Sequence, residues 1–197
     1  MKLKKRKINK SQLIKIGSFL IIILSFIFIG FSLYKDYKVE ENNENELKEF
    51  YEVQEEIIEK VINTESYIGV LKIGKINLER GFYSKESKLN NVNKNIQIIN
   101  SSDLPDKENG NVILAAHCGN SRVAFFNKLP NLELGDIATI YYQGREYSYQ
   151  LVDNYEIEKS GQANIKRNRD KNVLTLITCK HKTNKQLIFI FELINIE

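Results

Sequence analysis

The chain has 197 residues, 42% of them hydrophobic, and a formal net charge of +4, enough for one folded domain with additional segments. The charge is segregated: residues 1–15 carry Lys2, Lys4, Lys5, Arg6, Lys7, Lys10 and Lys15, whereas 36–65 is strongly acidic. No basic patch interleaved with aromatic residues is evident, so no nucleic-acid partner is predicted.

Residues 16–34 (IGSFLIIILSFIFIGFSLY) are apolar and uncharged. As a helix of about 19 residues they reach roughly 28 Å, the thickness of a hydrocarbon core. A cleavable signal has a shorter apolar stretch and small residues at its cleavage site. Here the run ends in Phe31, Leu33, Tyr34 and Lys35 with no A-x-A. It reads as an uncleaved signal anchor, and the basic cluster ahead of it predicts a cytoplasmic N-terminus. Everything from Lys35 onward is then extracytoplasmic. Two cysteines in that compartment can form a disulfide, whereas a nucleophilic cysteine must stay reduced.

Residues 36–63 read as helix, with Leu47, Phe50, Tyr51, Ile57, Ile58, Val61 and Ile62 at spacings near three and four. Two roles stay open: docking on the following domain, or a solvated spacer. The stretch 39–46 is too polar to be expected to pack. From Tyr67 the pattern changes to short β-rich runs at 67–73, 76–82, 96–99, 112–117, 137–142, 147–157, 173–179 and 187–194, punctuated by Gly, Asn and Asp. Gln143–Gly144 reads as a hairpin turn. Residues 121–132 read as a short helix capped by Ser121 and stopped by Pro130. Many short strands with few helices predict a small barrel or sandwich. The expected organisation is a cytoplasmic tail 1–15, a transmembrane anchor 16–34, an acidic helical stalk 35–66 and a β domain 67–197.

The chain holds two cysteines and two histidines, and they fall in two pairs: His117 with Cys118, and Cys179 with His181. A zinc site would suit these residue types, but the spacing is not the usual C-x₂₋₄-C and H-x₃₋₅-H. Adjacent residues continuing a strand would also point to opposite faces. Nucleophilic catalysis fits better. Cys179 ends the strand VLTLIT and His117 ends VILAA, so both would lie at strand ends on a barrel rim. A free thiol titrates at about 8.5 and needs a neighbouring imidazole to ionise at neutral pH. On the same parity argument Cys118 points away from His117, with redox control through Cys179 as its functional alternative. His181 is expected in a solvated loop.

At these residues the chain resembles the sortases, cysteine transpeptidases of Gram-positive cell surfaces. Residues 174–179 (LTLITC) match the TLxTC nucleophile motif, and 111–117 (NVILAAH) match the strand ending in the catalytic histidine, usually AGH. Residues 68–76 (IGVLKIGKI) resemble the opening strands; Leu104, Pro105 and Gly110 match the lead-in to the histidine strand. Asn127, Leu129, Leu132, Gly135 and Asp136 match the segment after it. The resemblance spans about 67–193 and implies an all-β fold, a closed eight-stranded barrel. It implies that Cys179 attacks a C-terminal, LPxTG-like sorting signal of a secreted protein, and that a peptidoglycan precursor amine resolves the thioacyl intermediate. No cofactor or metal is implied. His117 would serve as acid and base, and Thr178 and Ala116 would lie near the substrate.

The family's third catalytic residue is an arginine on the strand after the nucleophile. Here that strand starts Lys185-Gln186-Leu187. Gln186 has the matching place and is favoured, Lys185 would need a local bulge, and Arg122 lies after the histidine. Losing a charge-assisted donor motivates one alternative, a weak or inactive sortase-like binding module. Another is a zinc-stabilised extracellular barrel. The basic loop at 154–171, with Lys159, Lys166, Arg167 and Arg169, either favours an acidic sorting signal or is solvated surface. With no lid-like segment ahead of the barrel and no second span after it, cell-wall anchoring is expected rather than pilus polymerisation.

Overall fold

The computed structural model describes residues 10–55, 66–159 and 163–197. Two compact units emerge, Met1–Asn42 and Asn43–Glu197. Residues 1–9 of the basic tail and the stalk residues Ile57, Ile58, Val61 and Ile62 lie outside the described residues.

The first unit is helical, formed by the leading part of α1 (Lys10–Glu55). Its apolar side chains are exposed all round, from Phe19 (63% exposed) to Phe28 (74%). A helix apolar on every face has no aqueous partner to satisfy it. It is the one helix among the described residues long and apolar enough to cross a membrane, consistent with a single-pass anchor.

The second unit is a nearly closed barrel of eight strands: β1 (Tyr67–Ile73), β2 (Leu78–Tyr83), β3 (Gln97–Ile98), β4 (Asn111–Ala115), β5 (Ile137–Tyr142), β6 (Arg145–Glu158), β7 (Val173–Cys179) and β8 (Lys185–Ile196). The order is β2-β1-β5-β6-β8-β7-β4-β3, and a parallel bridge from Phe82 to Ile96 joins the two edges. Alternation decides which side chains fill the interior: Leu174 and Leu176 of β7 meet Phe189 and Phe191 of β8 there. The expected hairpin turn is present, with positive φ at Gln143 (48°) and Gly144 (74°), the signature of a tight primed turn between twisted strands.

The end of α1 packs on the outer face of β1 and β2. Phe50 joins Tyr67, Val70 and Tyr83, flanked by Leu47. Within the polar stretch ahead of it Asn43 also packs, contrary to expectation. Asn43 is buried, its Oδ1 accepting from the Tyr67 hydroxyl at 3.4 Å and its Nδ2 reaching the Glu79 carbonyl at 3.5 Å. A short amide can be buried where strand-edge groups satisfy it.

The helix expected at 121–132 does not form. Ala124, Asn127, Leu129, Asn131 and Leu132 each donate to the carbonyl three residues back, giving linked turns and one 3₁₀ turn at Leu129–Asn131. Pro130 lacks an N–H, and the segment is too short to repay helix nucleation.

Candidate active site

Strand pairing brings the two Cys/His pairs together. β4 and β7 run parallel, from Asn111↔Val173 to Ala115↔Ile177. The Ala116 N–H then donates to the Ile177 carbonyl at 3.2 Å. Thr178 is buried and its hydroxyl donates to the Ala116 carbonyl at 3.0 Å. These bonds fasten the ends of the two strands to each other, so that the residues just beyond them share one rim. The Thr178 hydroxyl and the Ala116 carbonyl are thereby turned to each other at the strand ends.

β4 ends at Ala115, so the alternation used to turn Cys118 away does not extend to it. Past Ala116 the chain bends. The His117 carbonyl accepts from Phe126 N–H at 3.2 Å, and Gly119 N–H donates to Asn127 Oδ1 at 3.1 Å. Gly119 takes φ +95°, a conformation that favours glycine. This bend carries Cys118 over Cys179, and the two sulfurs are joined in a disulfide across a Cα–Cα distance of 5.5 Å. The Cys118 N–H also points at Cys179 Sγ, 3.1 Å away. The face parity expected for Cys118 therefore fails, and its pairing is with Cys179.

His117 Nε2 lies 3.0 Å from Asn93 Oδ1. An amide oxygen only accepts, so this contact puts a proton on Nε2 and orients the ring. Asn93, 24 residues upstream, was not legible as part of the site. His181 is exposed, but its ring lies against the bend: a Cβ added to Gly119 would fall 3.0 Å from its Nδ1.

The β7–β8 register is unbroken from Val173↔Glu192 to Cys179↔Gln186. Gln186 is therefore directly cross-strand from Cys179, on the same face, with Cβ atoms about 5 Å apart by standard sheet geometry. Lys185 falls on the opposite face, and no bulge reverses this. Its ammonium lies 3.4 Å from Glu156 Oε2, and Lys180 binds the other carboxylate oxygen. Lys180 first, then Lys185, holds the Glu156 carboxyl below the usual range. Arg122 is exposed on the turns after the bend. In the basic loop, Arg167 donates to the Asn109 carbonyl at 3.1 Å, at the end of β4 remote from His117.

Among the described residues, no group of three or more His, Cys, Asp and Glu side chains is arranged to hold a metal ion. The family profile described as "Sortase domain" matches residues 71–193, more than half of the chain. The chain belongs to the sortase family. Sortases are membrane-associated cysteine transpeptidases acting on proteins with sorting signals. The chain is similar to Sortase D of Bacillus subtilis (strain 168), 29% identical over 111 residues, 56% of this chain and 53% of that protein. It thus spans about half the length of that curated relative. The fold is similar to a Clostridium perfringens Sortase D5 transpeptidase, with TM-score 0.61 at 21% identity over 79% of this chain and 98% of that one. It is also similar to Listeria monocytogenes sortase A, with TM-score 0.57 at 20% identity over 66% and 89%. The eight-stranded barrel expected from the motifs is the fold these share.

Proposed function

We propose that this sortase is a transpeptidase that cleaves a C-terminal sorting signal of secreted proteins and transfers them to a peptidoglycan amine. Its N-terminus is cytoplasmic and its barrel extracellular, an orientation supported by the basic residues ahead of the apolar helix. The observation that carries the reading is the shared rim: the segment bearing His117 meets Cys179, and Gln186 stands directly across from it.

In the reduced enzyme the Cys179 thiolate attacks the scissile carbonyl carbon, and the carbonyl oxygen becomes an oxyanion. Gln186 donates to that oxygen from its amide. Protonated His117 gives its proton to the leaving amine as the C–N bond breaks, leaving a thioester on Cys179. The incoming amine attacks the thioester and loses its proton to His117. A new amide forms, and Cys179 leaves as a thiolate. The Cys118 N–H aimed at Cys179 Sγ favours the thiolate, since a donor stabilises the charged form. Thr178 and Ala116 act by shaping the wall along which the signal lies. Arg122 and Lys185 contribute at most charge to the surroundings, Lys185 sharing the Glu156 carboxylate with Lys180.

The neutral Gln186 favours a second reading, a binding module that holds sorting signals without turning them over. Mass spectrometry separates the two. Reduced protein incubated with a sorting-signal peptide library and an amine should gain a thioacyl adduct on Cys179. A folded, reduced protein that binds peptide but never acquires the adduct would establish the binding module instead.

A further inference from the structure

The proposed nucleophile is bonded to a second cysteine whose thiol the transpeptidase cycle does not use. Three features make this pairing a property of the fold. The parallel strands fix Cys179 at the rim, the bend at 117–119 is tied down by Phe126 and Asn127, and the two Cα atoms lie 5.5 Å apart. That separation is within the ordinary range for a disulfide, so the bond forms with the backbone where it stands. Both cysteines are partly exposed, so small oxidants and thiols can reach them.

We propose that Cys118 is a resolving thiol, making this rim a thiol–disulfide exchange site whose substrates are a peroxide in one direction and a dithiol reductant in the other. This rests on Cys179 being the transpeptidase nucleophile. The features that make a thiolate a good nucleophile also expose it to oxidation. Hydrogen peroxide converts the Cys179 thiolate to the sulfenic acid as the O–O bond breaks, and one oxygen leaves as water. Cys118 then attacks the Cys179 sulfur, the S–S bond forms, and the sulfenic oxygen leaves as a second water. Two electrons have passed from the two thiols to the peroxide. In the other direction a reductant thiolate attacks Cys118 Sγ and expels Cys179 as the thiolate. The reductant's second thiol then attacks its own sulfur in the mixed disulfide and releases Cys118. The protein gains two electrons and two protons, and the reductant becomes a disulfide. The locked enzyme is inactive but recoverable, because the bond stops Cys179 short of the irreversible sulfinic and sulfonic acids.

The test uses the full-length chain in detergent, reduced, then exposed to hydrogen peroxide and returned to dithiothreitol. Iodoacetamide labelling under denaturing conditions, read by intact mass, counts free thiols at each stage. Peptide acylation of Cys179 is followed in parallel, each protein normalised to its own reduced starting value. The expected result for the wild type is two labels before peroxide, none after it, and two again after dithiothreitol, with acylation returning nearly in full. In Cys118→Ser, peroxide should leave Cys179 with two or three added oxygens, and recovery should be at least about ten-fold lower. Two labels in the peroxide-treated wild type, or equal recovery in the two proteins, would overturn the exchange site. Failure of the freshly reduced wild type to take up any peptide would overturn the transpeptidase reading alone, since the labelling result stands without it.

Discussion

In the proposed mechanism Gln186 offers the oxyanion a hydrogen bond from the position cross-strand to Cys179, but without a formal charge. Removing one oxyanion donor lowers rates by roughly 10²–10³. Gln186→Ala should therefore lose acylation by about that factor, while peptide binding changes little; full activity in the variant would exclude the role. Charge-assisted hydrogen bonds are about twice as strong as neutral ones, so Gln186→Arg should raise the acylation rate if the missing charge limits it. The Asn93 contact with His117 predicts a milder effect. Asn93→Ala removes a hydrogen bond of about 1 kcal/mol, and kcat should fall by roughly five-fold with KM nearly constant. A change confined to KM would place Asn93 in binding instead.

The element that builds the site is the junction of β4 and β7. The backbone ladder runs as far as the Ala116 N–H, and there the Thr178 hydroxyl adds a bond to the Ala116 carbonyl. Thr178→Val keeps the shape and strands that buried carbonyl, at a cost of about 1–2 kcal/mol. A lower urea midpoint is expected, together with slower acylation because the His117 segment loses its anchor; unchanged acylation would show that the backbone bonds alone hold the rim. On β2 the Tyr67 ring packs against Gly81, and an added Cβ there would fall 1.9 Å from a ring carbon. Forcing a methyl into such packing costs about 1–3 kcal/mol. Gly81→Ala should thus be destabilised by that amount in urea unfolding.

At the scale of the molecule, the second unit owes part of its stability to the end of α1, through Phe50 in its cluster with Tyr67, Val70 and Tyr83. Phe50→Ala should cost about 3 kcal/mol and lower Tm by roughly 6–12 °C for a domain of this size. A thermal scan of the unit starting at Asn43 checks it. Acid should also weaken the barrel in a traceable way. Asp103 accepts from Lys107 and from the Asn111 N–H at the start of β4, and Lys107 is the leading cause holding its carboxyl below the usual carboxylate range. A depressed folded pKa contributes stability that is present above the unfolded pKa and lost as pH falls through the folded one. Asp103→Asn should therefore be less stable than the wild type at pH 7, and the gap should close toward about pH 3. Urea midpoints at the two pH values would show it.

Much of this was legible along the chain because it rests on local periodicity. The apolar run 16–34, the hairpin at Gln143–Gly144 and the strands ending in Ala115 and Cys179 all announce themselves through residues close in sequence. The motif residues also pointed to the candidate site, where the β7–β8 register sets Gln186 across from Cys179. What only the tertiary structure decided lies past the strand ends. There the alternation that assigns faces stops, and contacts between distant segments take over. Cys118 meets Cys179 across 61 residues, Asn93 meets His117 across 24, and Asn43 is buried because Tyr67 and Glu79 satisfy its amide. Local pattern determines which residues form strands. Whether a bend beyond them turns a thiol inward depends on the bonds that hold that bend.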